Sequence, residues 1–269
     1  MIYHRSFVLI LMFILCVPLA GQQTPPTSTQ QAQRDPQALT VVNQAINAAG
    51  GQAALGGIQD VAGSGTITYY WAGDQVQGNV TLKGRGVAQF RLDATLPAGI
   101  RSIKANNGTG STSEPDGTTT PIPFYQAVNM GSSFAFPVGK LLAALQDPTT
   151  NITYGGLLTR GGSQVYDIHI AGIQGPAPIA SASPTRLPME EFFIDSTTFH
   201  IVSVLSRAYP RDGSLRTRPS ELQFSDYRTV NGILVPFSVT NLIDGQCTFT
   251  IQLAQITLNN NLSDSDFQQ

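Results

Sequence analysis

Cysteine is nearly absent from this chain. Cys16 lies in the first apolar run and Cys247 near the other end, so removal of a leader leaves a single thiol and no internal disulfide. A hydrophobic core must then hold the fold, and Cys247 reads as a small buried side chain on a strand rather than a nucleophile. No Cys-x-x-Cys or Cys/His metal spacing occurs. Charge is also sparse: Asp, Glu, Lys and Arg make up 12% of residues, and Thr, Ser, Gln and Asn carry solubility instead. The formal net charge is −2, and becomes −3 if Arg5 leaves with the leader. Neither value attracts nucleic acid or an anionic membrane surface. Gly-x-Ser-x-Gly, His-Glu-x-x-His, a phosphate loop and a dinucleotide fingerprint are all missing, so no local motif supports an enzyme, a cofactor or a resident metal.

What is present is strand alternation, densest in residues 221–267. Asn231-Gly232 and Asp244-Gly245 are hairpin turns, because Asn, Asp and Gly tolerate positive φ. Between them Ile233, Val235, Phe237, Val239 and Ile243 share one parity, as befits a strand with one face buried. Cys247, Phe249, Ile251 and Leu253 continue the pattern, which then slips to Ala254, Ile256 and Leu258 and implies a bulge. Pro236 cannot donate to a ladder and must sit at an edge, a bulge or an outward-facing position.

The start reads as a secretory signal over residues 1–21. Arg5 is followed by an apolar run from Phe7 to Val17 and by Leu19-Ala20-Gly21. The run is shorter than the roughly 20 residues a membrane span requires, so no stable span is expected after cleavage. Gln22, not Cys, follows the small residues, which argues against a lipid anchor. Residues 22–34, rich in Gln, Thr and Pro, read as a disordered tether, and 35–269 as one folded domain.

Asp35-Pro36 starts a helix, with Asp at the N-cap, and Gly50-Gly51 stops it. Ala38, Val41, Val42, Ala45, Ile46 and Ala49 form one apolar stripe. Strands follow in series, with Gly63 and Gly65 in the first marking a bend or a close approach. Residues 109–123 suit a loop or an edge hairpin. PVGKLLAAL (137–145) reads as a short helix that Asp147-Pro148 ends. About twelve strands and two main helices point to a mainly β, α+β domain built on one large antiparallel sheet.

The order of these elements resembles the LolA-like superfamily of bacterial periplasmic proteins. The resemblance rests on the amphipathic helix ending in Gly-Gly, the Gly-punctuated first strand, the long meander, and the closing FSDYRTVNGILVPFSV and NNNLSDSDF. It implies a half-open β-barrel whose concave apolar face is covered by an N-terminal and a short central helix. It also implies a non-enzymatic, monomeric, exported carrier for a lipid, a lipidated protein or another hydrophobic ligand. Trp71, Phe90, Leu92 and Phe237 are the expected cavity lining, in the space between helix 36–49 and the sheet. A closed, dry core would use the same residues. An envelope module that binds a protein partner and a hydrolase with a dispersed site are the alternatives.

Three polar groupings are weighed against ordinary solvated surface. Asp167 and His169 share a strand face, but a metal or acid/base reading lacks a third ligand. Glu190 and Glu191 point to opposite faces and cannot pair. Arg207, Arg211, Arg216 and Arg218 form a basic loop, 207–218, which is either solvated or a dock for an acidic partner or a lipid head group.

Overall fold

A computed structural model of the chain describes residues 32–71, 73–124, 126–127, 134, 136–172, 189–208 and 217–268. The expected signal peptide, the tether through residue 31, the loop 174–184, and Arg211 and Arg216 lie outside the described residues.

Thirteen strands form one antiparallel sheet that does not close into a barrel. In chain order they are β1 (Asp60–Trp71), β2 (Asp74–Arg85), β3 (Gln89–Leu96), β4 (Gly99–Asn106), β5 (Thr109–Ser113), β6 (Thr119–Pro121), β7 (Asn151–Arg160), β8 (Ser163–Ala171), β9 (Glu190–Asp195), β10 (Ile201–Ala208), β11 (Arg218–Val230), β12 (Ile233–Ile243) and β13 (Gln246–Leu258). Their spatial order is β6-β5-β4-β3-β2-β1-β13-β12-β11-β10-β9-β8-β7, so every neighbour is a sequence neighbour except β1 and β13. That pair joins the two ends of the meander. Residues 109–123 therefore include an edge hairpin, β5–β6.

The expected alternation sets the inner face. Phe90, Leu92, Ala94 and Leu96 are all buried on β3, as are Val235, Phe237 and Val239 on β12. The anticipated bulge near Ala254 is real: Ser64 pairs with Gln255 but Gly65 with Leu253. Gly65 is required there, because a Cβ would sit 2.7 Å from the Leu253 Cα. A second irregularity, at Thr248, was not anticipated. Asn241 pairs with Phe249 and Leu242 with Cys247, so Cys247 leaves the face of Phe249 and is only half-buried. Pro236 is accommodated because β12 pairs with β13 only from Ser238 onward, leaving residues 233–237 as a local edge on that side.

Helices cover the inner face. α1 (Pro36–Ala48) buries Ala38, Val41, Val42, Ala45 and Ile46, the stripe read from the sequence. α2 (Gln52–Gly56) is one short turn anchored by Leu55, and α3 (Pro137–Gln146) buries Leu141 and Leu142. The Asp35 side chain does not cap α1. Its Oδ2 instead accepts the Tyr154 N–H at 3.0 Å, on the edge strand β7.

Residues just ahead of α1 are also held in place. Gln33 and Asp35 exchange backbone hydrogen bonds with Ile152, a parallel bridge beside β7 that covers this part of the sheet edge. Arg34 donates to the carbonyls of Leu145 (2.8 Å) and Asp147 (2.7 Å), which places a cation at the carbonyl end of α3.

Candidate functional site

A large opening, among the described residues, lies at one end of the concave face, between β1, β4 and β5 on one side and β10–β13 on the other. Its volume is about 500 Å³. Tyr69 and Trp71, two apart on β1 and therefore on one side, stack with ring centroids 5.3 Å apart. The Arg101 guanidinium from β4 lies 4.8 Å from the Tyr69 centroid and 5.4 Å from the Trp71 centroid. This places a cation against the electron-rich faces of both rings. Arg101 also pairs with Glu114 at 3.1 Å, so its charge is balanced. Ile103, Leu222, Ile243 and Phe249 supply apolar wall, and Arg207 and Arg218 stand at the opposite lip.

Burial pushes the Tyr69 hydroxyl pKa up, an effect that the Arg101 charge partly opposes. The buried hydroxyl makes no well-formed hydrogen bond among the described residues. Asn241 donates from Nδ2 to the Thr248 hydroxyl at 2.6 Å, and that hydroxyl donates back to the Asn241 carbonyl at 3.2 Å, so the extra residue at Thr248 is tied to β12.

A second opening of about 200 Å³ lies under α2 and α3, bordered by Val61, Gly84, Phe90 and Leu142. Phe134 divides the two. Its ring stacks on Phe90 at 4.8 Å and on Phe249 at 6.0 Å, and those two rings face different openings.

The expected lining is therefore redistributed. Trp71 is at the rim of the large opening, with 46% of its surface exposed, and Phe90 is in the wall of the small one. Leu92 and Phe237 line neither; both are packed in the core, and Arg228 lies 4.4 Å from the Phe237 centroid. The space beneath α1, where the cavity was expected, is filled. About 10 Å³ remains between Ala45, Ala49 and the facing His200, Tyr227 and Pro236. A void that small holds no ligand. Burial lowers the His200 pKa, an effect that Asp195 partly offsets, and its ring packs on Tyr227 at 4.8 Å, a structural role.

Tyr69, Arg101, Phe134 and Leu222 were missed. Tyr69 carried a signal, since it shares the parity of Trp71. Arg101 and Leu222 carried none, because they reach the site only through the pairing of distant strands.

The remaining sequence candidates separate by face. Glu190 is buried against α3 and ion-paired with Lys140. Glu191 points the other way and joins Asp167 and His169 on the outer face.

No protein-family model matches the chain, and no curated protein matches it. Solved structures do. A domain of a putative outer membrane lipoprotein-sorting protein from Vibrio parahaemolyticus superposes with a TM-score of 0.50 at 9% identity, covering 85% of this chain and 95% of that one. A LolA superfamily protein from Nitrosomonas europaea gives 0.51 at 10% identity, over 86% and 97%. At such identities the likeness is one of fold.

Proposed function

With a LolA-like fold as the premise, we propose that this protein is a non-enzymatic, exported carrier that takes a hydrocarbon chain into the opening beside Tyr69 and Trp71. The observation that carries the reading is the size and lining of that opening. About 500 Å³ lies within the roughly 300–1,000 Å³ usual for small-molecule sites. Its wall is mainly aromatic and aliphatic, and each methylene buried there contributes about 0.8 kcal/mol. Arg207 and Arg218 at the lip suit the carboxylate or phosphate of an amphiphile whose tail lies inside. The two structures of matching fold, one of them a domain of a putative outer membrane lipoprotein-sorting protein, support a lipid or a lipidated protein as cargo. Export by residues 1–21 and monomeric action belong to the same reading.

The test is native mass spectrometry of the protein purified from an envelope extract, with titration of a fluorescent fatty acid. Co-purified lipid, and uptake that Leu222→Trp blocks by filling the opening, are expected. Lipid-free protein that takes up no probe would remove the carrier reading.

A further inference from the structure

On the outer face of the sheet, away from the large opening, β8 and β9 bring three metal-ligating side chains together. Asp167 and His169 are two apart on β8, and Glu191 lies directly across from His169 in the β8–β9 register. Potential ligand atoms of the three lie within 4.8 Å of one another. The His169 Nε2 and Asp167 Oδ2 are 3.0 Å apart.

Two further observations point to a missing occupant. Asp167 is more than nine-tenths buried, yet its Oδ1 has no hydrogen-bond partner among the described residues. An unpaired buried carboxylate oxygen is expensive, so it calls for a partner, which an ion held by both oxygens of Asp167 would supply. The space over the pair is also kept clear. β7 bulges at Gly155, between Tyr154↔Ile168 and Gly156↔Asp167, and a Cβ on Gly155 would lie 2.6 Å from the His169 Nε2 and closer still to Asp167.

We propose that Asp167, His169 and Glu191 form a site for a divalent first-row metal ion, with zinc the best match. One imidazole and two carboxylates are a donor set zinc accepts, and two negative charges balance the dication. Ligand atoms 3.0 Å apart subtend roughly 95° at an ion about 2.0–2.1 Å from each, and a spread of about 0.3 Å on binding reaches the tetrahedral angle zinc prefers. The ion would take the place of the Nε2···Oδ2 hydrogen bond, and rotation of the half-exposed Glu191 side chain closes the remaining gap. The ion would tie β8 to β9 and leave at least one coordination position to water. This site is independent of the carrier reading, since it faces the opposite side of the sheet.

Isothermal titration of zinc chloride into the metal-free mature chain tests it, with thermal unfolding as a second readout. The mature chain has two histidines, His169 and His200, so the assignment can be separated cleanly. The expected result is one zinc per chain, a rise in the unfolding midpoint on zinc addition, and affinity lowered at least tenfold by His169→Ala or Glu191→Gln but unchanged by His200→Ala. Should His169→Ala fail to fold, Glu191→Gln at its half-exposed position carries the test alone. No binding at millimolar zinc, or binding that survives both His169→Ala and Glu191→Gln, would overturn the proposal.

Discussion

The Leu234 backbone N–H donates to the carbonyl of Ala49 at 3.0 Å. The bond joins the end of α1 to the stretch of β12 that β13 does not pair. The helix terminus thus stands in for a missing strand, and it satisfies a donor and an acceptor that would otherwise be left over. Its position also closes the space under α1, which is why the opening lies elsewhere on the sheet.

The close approach depends on Gly50. Its φ is +128°, and a Cβ would stand 2.9 Å from both the Gly232 carbonyl oxygen and the Ile233 Cδ1. Gly50→Ala is expected to lower stability by about 1–3 kcal/mol, read as a lower urea midpoint with an unchanged slope. Gly51, which has open space around it, also has positive φ but no such contacts. Gly51→Ala should therefore cost less than Gly50→Ala; equal losses would show that strain alone, not the contact with β12, sets the penalty.

Trp71 is the sole tryptophan and stands at the rim of the large opening. Ligand entry should shift its fluorescence without any added label. Trp71→Ala should weaken binding of a fluorescent fatty acid by roughly 5–30-fold, corresponding to about 1–2 kcal/mol of lost contact, while far-ultraviolet circular dichroism stays unchanged. Phe237→Ala, a core change, should instead lower the unfolding midpoint.

If the carrier reading holds, Phe134 should limit the length of the tail the site accepts. Because it stands between the two openings, Phe134→Ala should merge them and move the preferred acyl length upward in a chain-length series measured by probe displacement. The same change should reduce stability by about 3–5 kcal/mol through the lost ring contacts. An unchanged length preference would mean that the small opening remains closed off by other groups.

Acid should unfold the protein through its closing segment. Burial tends to raise the Asp60 pKa, but hydrogen bonds from Asn260 and from the Leu262 and Asn261 backbone outweigh it, and the net shift is downward. Asp266 is held at about 2, chiefly by the Lys83 hydrogen bond and then by the Ser263 backbone. A carboxylate whose pKa is depressed by folding contributes stability above its unfolded pKa and loses it as pH falls through the folded one. Stability should thus decline from about pH 4 toward pH 2. Asp60→Asn should remove part of that dependence, and an unaltered acid profile in that variant would assign the transition to other carboxylates.

Strand and helix positions were readable because a side chain's direction follows from backbone period alone. The Asn231-Gly232 and Asp244-Gly245 turns, the α1 stripe, the Phe90–Leu96 alternation and the slip at Ala254 are all local patterns of this kind. They determined an antiparallel meander and an amphipathic helix; the half-open sheet with a helical cover was what the resemblance to the LolA-like superfamily implied. Other features depended on several distant segments at once. The Asp35 side chain turned from its helix to an edge strand because the Tyr154 amide was near. Glu191 met His169 through a register 22 positions away in sequence. The opening is what remains after α1 meets β12 and Phe134 fills the middle of the concave face. Empty volume is a small difference between the curvature of a whole sheet and the bulk of everything packed on it, so only the tertiary structure could decide where it falls.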